Sequence, residues 1–258
     1  MAFLQASLMS ESLMRTVGVT VLLPSDAVPR REMKPFKTLY LLHGIFGSQF
    51  DWLHGTNVMR WASEKNLAVV MPAGENMFYV DQEGAHNLYG QFVGQELVEL
   101  TRSMFPLSRA REDTFIAGLS MGGYGALRNG LKYADTFGAI AGLSTANVAE
   151  NIEEKADNAP RFYNSRAYME AVFGDLSKVR GSDRDLFCLA DTLAASGKPL
   201  PRVYLACGKD DPLLPGSRRL RDCFERNGFP VTYEEGPGAH EWDFWNRHLQ
   251  RVIEWLEI

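Results

Sequence analysis

The sequence predicts an α/β fold, a mostly parallel central sheet flanked by helices, and three observations carry that expectation. Short apolar runs rich in β-branched or aromatic residues and bounded by Gly, Pro or Asp recur along the chain, as strands buried on both faces do. Between them lie longer stretches whose apolar residues repeat every three or four positions, the period of one helix face. Alternation of the two calls for crossover connections, which lay successive strands parallel. The bulk numbers agree: 258 residues with 45% hydrophobic and 23% charged side chains bury a core without needing a disulfide or a metal. Disorder, collagen and coiled coil are excluded, and one domain with an insertion is expected.

In chain order the strand-like runs are 17–23 (VGVTVLL), 38–42 (TLYLL), 67–71 (LAVVM), 114–117 (TFIA), 138–142 (GAIAG), 203–206 (VYLA) and 231–235 (VTYEE). The first two are expected to form an antiparallel edge pair. Helices are expected over 94–105, with Leu97, Leu100 and Met104 on one face, over 122–133, with Tyr124, Leu127 and Leu131, and over 218–224, with Leu220 and Phe224. A closing helix carries His248, for which a surface position is expected. Residues 145–200 break the rhythm: they are polar, show no strand pattern, and read as a helical insertion of the kind that forms lids and binding loops.

Charge narrows the function classes. The net charge is -5, from 27 basic and 32 acidic side chains, with no dense Lys/Arg block, which argues against nucleic-acid binding. Arg218, Arg219 and Arg221 are mixed with Asp222 and Glu225 and read as a solvated helix face. No apolar run approaches the ~20 residues that span a bilayer, and MAFLQASLMSESLMR lacks a basic segment followed by an apolar one. No membrane association and a cytoplasmic location are therefore expected. Cys188, Cys207 and Cys223 are odd in number and lack CxxC spacing, so free thiols in a reducing compartment are expected rather than a disulfide.

The sharpest local signal is IAGLSMGG, in which Gly118, Ser120 and Gly122 form a G-x-S-x-G pattern between a strand and a helix. That context suits a nucleophile elbow, a strained turn that thrusts the serine hydroxyl out at the C-terminal edge of the sheet. A serine hydroxyl is a poor nucleophile at neutral pH and needs a base and a group to orient that base. Among five histidines, His240 in GPGAHEWDFW follows the last strand and precedes the closing helix, at the same sheet edge. A carboxylate is then expected after a strand between the two, and CGKDDPLL supplies Asp210 and Asp211. An oxyanion hole needs two backbone donors, one from Met121, the residue after the serine, and one from a loop after an early strand, which LLHGIFG fits. His43, at the strand end before a glycine, reads as an anchor of that loop rather than as the base. Trp52, Trp242 and Trp245 either border the site or pack the core.

Taken together, VTVLLP, LYLLHGIFGSQFDW, FIAGLSMGGYGALRNGLKYADTFGAI, CGKDDPLL and GAHEWDFWNRHL resemble the esterase D family of α/β-hydrolases, close to bacterial tributyrin esterases and related to S-formylglutathione hydrolases and feruloyl or acetyl esterases. The resemblance extends over nearly the whole length and implies an α/β-hydrolase fold with 145–200 as cap. It implies Ser120 as nucleophile, His240 as base, Asp211 as acid in preference to Asp210, and Ile45 with Met121 as oxyanion donors. It also implies hydrolysis of short-chain acyl or aryl esters, a small-molecule ester as partner, no cofactor or metal, and a homo-oligomer, dimer or tetramer. The insertion carries no motif that matches the family. The alternatives are a thioesterase of the S-formylglutathione hydrolase type, a serine peptidase, and a non-catalytic binding protein on the same fold.

Overall fold

The computed structural model of the chain describes residues 1–26 and 35–258. Its N-terminal part contains strands β1 (Ala2–Ser10), β2 (Arg15–Leu23) and β3 (Thr38–Leu42), helices α1 (Asp51–Gly55) and α2 (Val58–Glu64), and β4 (Ala68–Pro72). A short hairpin of β5 (Asp81–Gln82) and β6 (Asn87–Leu88) leads through α3 (Tyr89–Gln91) and a π-helical turn into α4 (Leu97–Met104). Next come β7 (Thr114–Leu119), α5 (Met121–Lys132) and β8 (Ala139–Leu143), then α6 (Arg166–Phe173) and α7 (Leu186–Ala195). The chain closes with β9 (Arg202–Gly208), α8 (Leu214–Arg226), β10 (Val231–Gly236) and α9 (Trp242–Trp255).

Eight strands form one sheet in the order β1-β2-β4-β3-β7-β8-β9-β10. Pairing from β4 through β3, β7, β8 and β9 to β10 is parallel, whereas β1 to β2 and β2 to β4 are antiparallel. The sheet is thus mostly parallel, as expected, with one correction. The antiparallel edge pair is β1 with β2, and the run 38–42 lies inside the sheet between β4 and β7, parallel to both. The cause is β1 itself: its side chains alternate between exposed and half-buried, so AFLQASLMS has no apolar run to announce a strand.

Side-chain alternation divides the core between the two faces. Tyr40 and Leu42 of β3 join Leu97 of α4, Leu127 of α5, Phe173 of α6 and Phe224 of α8 on one side. Leu39 and Leu41 join Trp52, Trp61 and the α9 residues Phe244, Leu249 and Ile253 on the other. His248 departs from expectation: it is buried, stacked on Phe244 with ring centroids 4.1 Å apart, because its position on α9 falls on the sheet-facing side of the helix. Arg218 and Arg221 pair with Glu235 and Asp222 at 2.7 and 2.6 Å, and Arg219 pairs with Glu150, so this basic face carries its own acids. The three cysteines are free thiols. Among the described residues no helix is long and apolar enough to cross a membrane.

Between β8 and β9, residues 145–200 hold α6, α7 and short turns and contain no strand. This excursion is tied to the core by Arg128 of α5, whose fully buried guanidinium pairs with Asp81 at 3.4 Å and with the Asp183 carboxylate, and whose Nε donates to the Asp183 carbonyl at 3.0 Å. Lys132 joins the same two carboxylates at 3.3 and 2.7 Å.

Candidate active site

The turn from β7 to α5 is built for close approach. A Cβ on Gly118 would stand 2.2 Å from the Gly122 carbonyl oxygen, and one on Gly122 would stand 2.3 and 2.5 Å from the carbonyl oxygens of Leu42 and His43. Both positions exclude any side chain, which is the physical content of the two glycines in the motif. Between them Ser120 adopts φ 54° and ψ -116°, a conformation that costs a non-glycine residue roughly 1–3 kcal/mol. Hydrogen bonds hold it there: its N–H donates to the Leu143 carbonyl at 2.8 Å, and its carbonyl accepts from Tyr124 and Ala146 at 3.0 and 3.2 Å.

The structure brings Ser120, His240 and Asp211 together from three connections. Ser120 Oγ lies 3.0 Å from His240 Nε2, and His240 Nδ1 lies 2.9 Å from Asp211 Oδ2. Asp211 follows β9 and is buried, while the His240 side chain, on the loop between β10 and α9, is 33% exposed. Burial alone raises the pKa of Asp211, but the bonds from His240 and from the Leu213 N–H at 2.8 Å overrule it and hold the carboxyl below its usual value. Asp211 is thus an anion placed to fix the imidazole with Nδ1 protonated and Nε2 free to accept from Ser120. Asp210 is exposed and outside this chain of bonds.

His43 is not a rival base. It is buried, with Nδ1 on the Gly44 carbonyl at 2.7 Å and Nε2 accepting from the Gly74 N–H at 2.9 Å. Burial lowers its pKa and keeps the imidazole neutral, so both nitrogens are spent on holding the loop that follows β3. In that loop Gly47 N–H bonds back to the Gly44 carbonyl at 3.1 Å and Phe46 N–H to Asn76 Oδ1 at 2.8 Å, which leaves the intervening Ile45 N–H without an acceptor among the described residues. Met121 opens α5, where the first N–H groups of a helix have no intrahelical partner. Ile45, Ser120, Met121 and His240 line one cavity of about 820 Å³.

The cavity wall is mostly apolar, with Phe46, Phe78 and Leu119, and the insertion adds Val148 and Met169 together with Lys155, Arg161 and Tyr163. Phe46 packs against Phe162 and Tyr163 with centroids 5.8 and 5.6 Å apart, so the loop after β3 and the insertion meet at the mouth. Trp242 and Trp245 line the cavity, whereas Trp52 is core, its indole N–H donating to the Leu42 carbonyl at 3.0 Å. Among the described residues no cluster of three or more His, Cys, Asp or Glu is arranged to hold a metal.

Two residues of the site have no motif to announce them. Asn76 takes the Phe46 N–H on its side chain and the Tyr168 hydroxyl on its carbonyl at 2.5 Å, joining the loop after β3 to the insertion. Ser144, buried after β8 at φ 46°, accepts the Trp245 indole N–H at 3.1 Å behind Asp211. Both act through one or two hydrogen bonds between segments remote in sequence, which no spacing records.

Comparison with known proteins gives concordant results. The family model described as putative esterase matches residues 10–256. The chain is 42% identical over 261 residues to an acetyl esterase of Caldicellulosiruptor saccharolyticus, covering 99% of this chain and 98% of that one. Its fold is similar to an S-formylglutathione hydrolase of Staphylococcus aureus, with a TM-score of 0.86 and 32% identity over 99% of this chain and 98% of that one. A fluorophosphonate-binding serine hydrolase of the same organism, with substrate bound, superposes with a TM-score of 0.87 at 32% identity and the same coverage of both chains.

Proposed function

This chain belongs to the putative esterase family and is a serine carboxylesterase with an α/β-hydrolase fold, and we propose that it cleaves short-chain acyl or aryl esters with Ser120 as nucleophile, His240 as base and acid, and Asp211 as the orienting carboxylate. The observation that carries this reading is the unbroken run of hydrogen bonds from Asp211 through His240 to Ser120, 2.9 and 3.0 Å, opening into the cavity.

In this reading Ser120 Oγ attacks the ester carbonyl as His240 Nε2 takes its proton. The negative charge that moves onto the carbonyl oxygen is held by the N–H groups of Ile45 and Met121. Collapse of the tetrahedral intermediate breaks the bond to the leaving oxygen, which receives the proton from His240 and departs as the alcohol. Water then gives its proton to the same imidazole, attacks the acyl-serine, and releases the acid with Ser120 restored. Because each oxyanion donor is backbone, replacing the side chain of Ile45 or Met121 alters packing more than chemistry.

Similarity to an acetyl esterase supports the short-acyl preference. A second reading, thioester hydrolysis by the same triad, is favoured by the likeness to an S-formylglutathione hydrolase. We further take the chain to be one domain with 145–200 as its insertion. A cytoplasmic location is supported by three unpaired thiols, and homo-oligomerisation, to a dimer or tetramer, rests on the family resemblance; light scattering tests it. The deciding experiment is kcat/KM on p-nitrophenyl acetate, butyrate and octanoate, on methyl ferulate, and on S-formylglutathione, with Ser120→Ala as control. Highest values on short oxyesters, abolished in the variant, are expected. A dominant rate on S-formylglutathione moves the protein to thioester chemistry, and turnover that survives Ser120→Ala refutes the nucleophile.

A further inference from the structure

The imidazole of His240 is one-third exposed and sits on a loop, so the Asp211 bond alone leaves its ring free to tilt toward solvent. Trp245, on the first turns of α9, closes that freedom. Its indole ring meets the His240 ring edge-on, with centroids 4.9 Å apart at 89°, and is itself braced by Trp242 at 5.3 Å and 88°. The same indole donates its N–H to Ser144 Oγ at 3.1 Å. Ser144 is fully buried, its backbone fixed by donation from its N–H to the Ala206 carbonyl at 2.8 Å.

From this arrangement we propose that Trp245 and Ser144 are a pair of positioning residues for the catalytic base: the indole ring sets the plane of His240, and the bond from the indole N–H to the buried Ser144 hydroxyl holds that ring in place. The inference rests on the triad reading above. The imidazole is then gripped at Nδ1 by Asp211 and on its face side by the indole. One side chain, Trp245, thereby fixes the base that takes the Ser120 proton.

The test separates orientation from packing. Trp245→Phe keeps an aromatic ring and removes the N–H; Ser144→Ala removes the hydroxyl. Each is expected to lower kcat on p-nitrophenyl butyrate by about tenfold, the rate equivalent of one buried hydrogen bond, while KM stays within twofold. The double variant is expected to be no slower than Ser144→Ala, because the N–H acts only through the hydroxyl. Rates are taken per active site, counted by fluorophosphonate labelling, so that a loss of folded protein does not enter. If both single variants keep kcat within twofold while Ser120→Ala is inactive, the pairing is overturned and the triad stands. Multiplicative losses in the double variant overturn the pairing in the same way. Activity in Ser120→Ala overturns the triad itself.

Discussion

At Ser120 the backbone is part of the chemistry. A residue forced into φ 54° points its hydroxyl away from both β7 and α5, and the cost is sustained because glycines at 118 and 122 let the strand, the helix and the end of β3 approach to contact. Ser120→Ala is expected to lower kcat by at least about 10³-fold with an unchanged melting temperature, since the variant keeps the turn and loses only the nucleophile. Asp211→Asn is expected to cost a comparable factor, because a carboxamide can present its NH2 to His240 and stabilise the wrong tautomer; active-site labelling that persists at a reduced rate checks that the protein remains folded. Gly122→Ala acts differently. Its methyl would fall 2.3 Å from the Leu42 carbonyl oxygen, so the chain must move, and a loss of about 3 kcal/mol or more is expected in a denaturant melt. These residues were legible in the sequence because their chemistry requires fixed neighbours: glycines beside the serine, and a histidine and an acid each just past a strand. Ser144 and Asn76 were not, since one hydrogen bond across the fold leaves no local pattern.

Among the elements, α9 carries a built-in response to acid. His248 lies between Phe244 and Tyr204, whose hydroxyl is 3.4 Å from Nδ1, and burial pushes its pKa down to about 4 against the attraction of Glu234. In the unfolded chain the same imidazole takes up a proton near pH 6.5, so below that value the unfolded state binds a proton that the folded state does not. Stability is therefore lost as pH falls from about 6.5 toward 4 and is flat above that window. The expected loss between pH 7 and pH 5 is about 2 kcal/mol. His248→Phe is expected to lessen the fall of the melting temperature across this range, leaving the part that buried His43 contributes with the same sign, and an undiminished slope in the variant contradicts the assignment. The helix itself was legible, but the orientation of His248 was not, because its place on the buried side depends on how α9 docks on the sheet.

For the whole molecule, the parallel sheet was readable because strands covered on both faces must be continuously apolar. The edge strand β1 and the internal order of residues 145–200 were not, as neither is buried on both sides. The insertion is attached by apolar packing, including Phe173 on Phe78 and Tyr124, and by a buried polar anchor: Arg128, fully buried, answers Asp81 and Asp183 together. Arg128→Ala leaves both carboxylates with Lys132 alone, and a loss of about 3 kcal/mol is expected in a denaturant melt. Because the insertion walls the cavity, the fall in kcat/KM should be greater on methyl ferulate than on p-nitrophenyl acetate; equal losses would mean that the network serves stability alone. Covalent catalysis at Ser120 is tested by trapping the intermediate. Acid-quenched enzyme, mixed with p-nitrophenyl butyrate for less than one turnover, is digested and its peptides weighed. One butyryl group is expected on the peptide bearing Ser120 and none in Ser120→Ala; a butyryl group on another residue that turns over at the catalytic rate would place the nucleophile elsewhere.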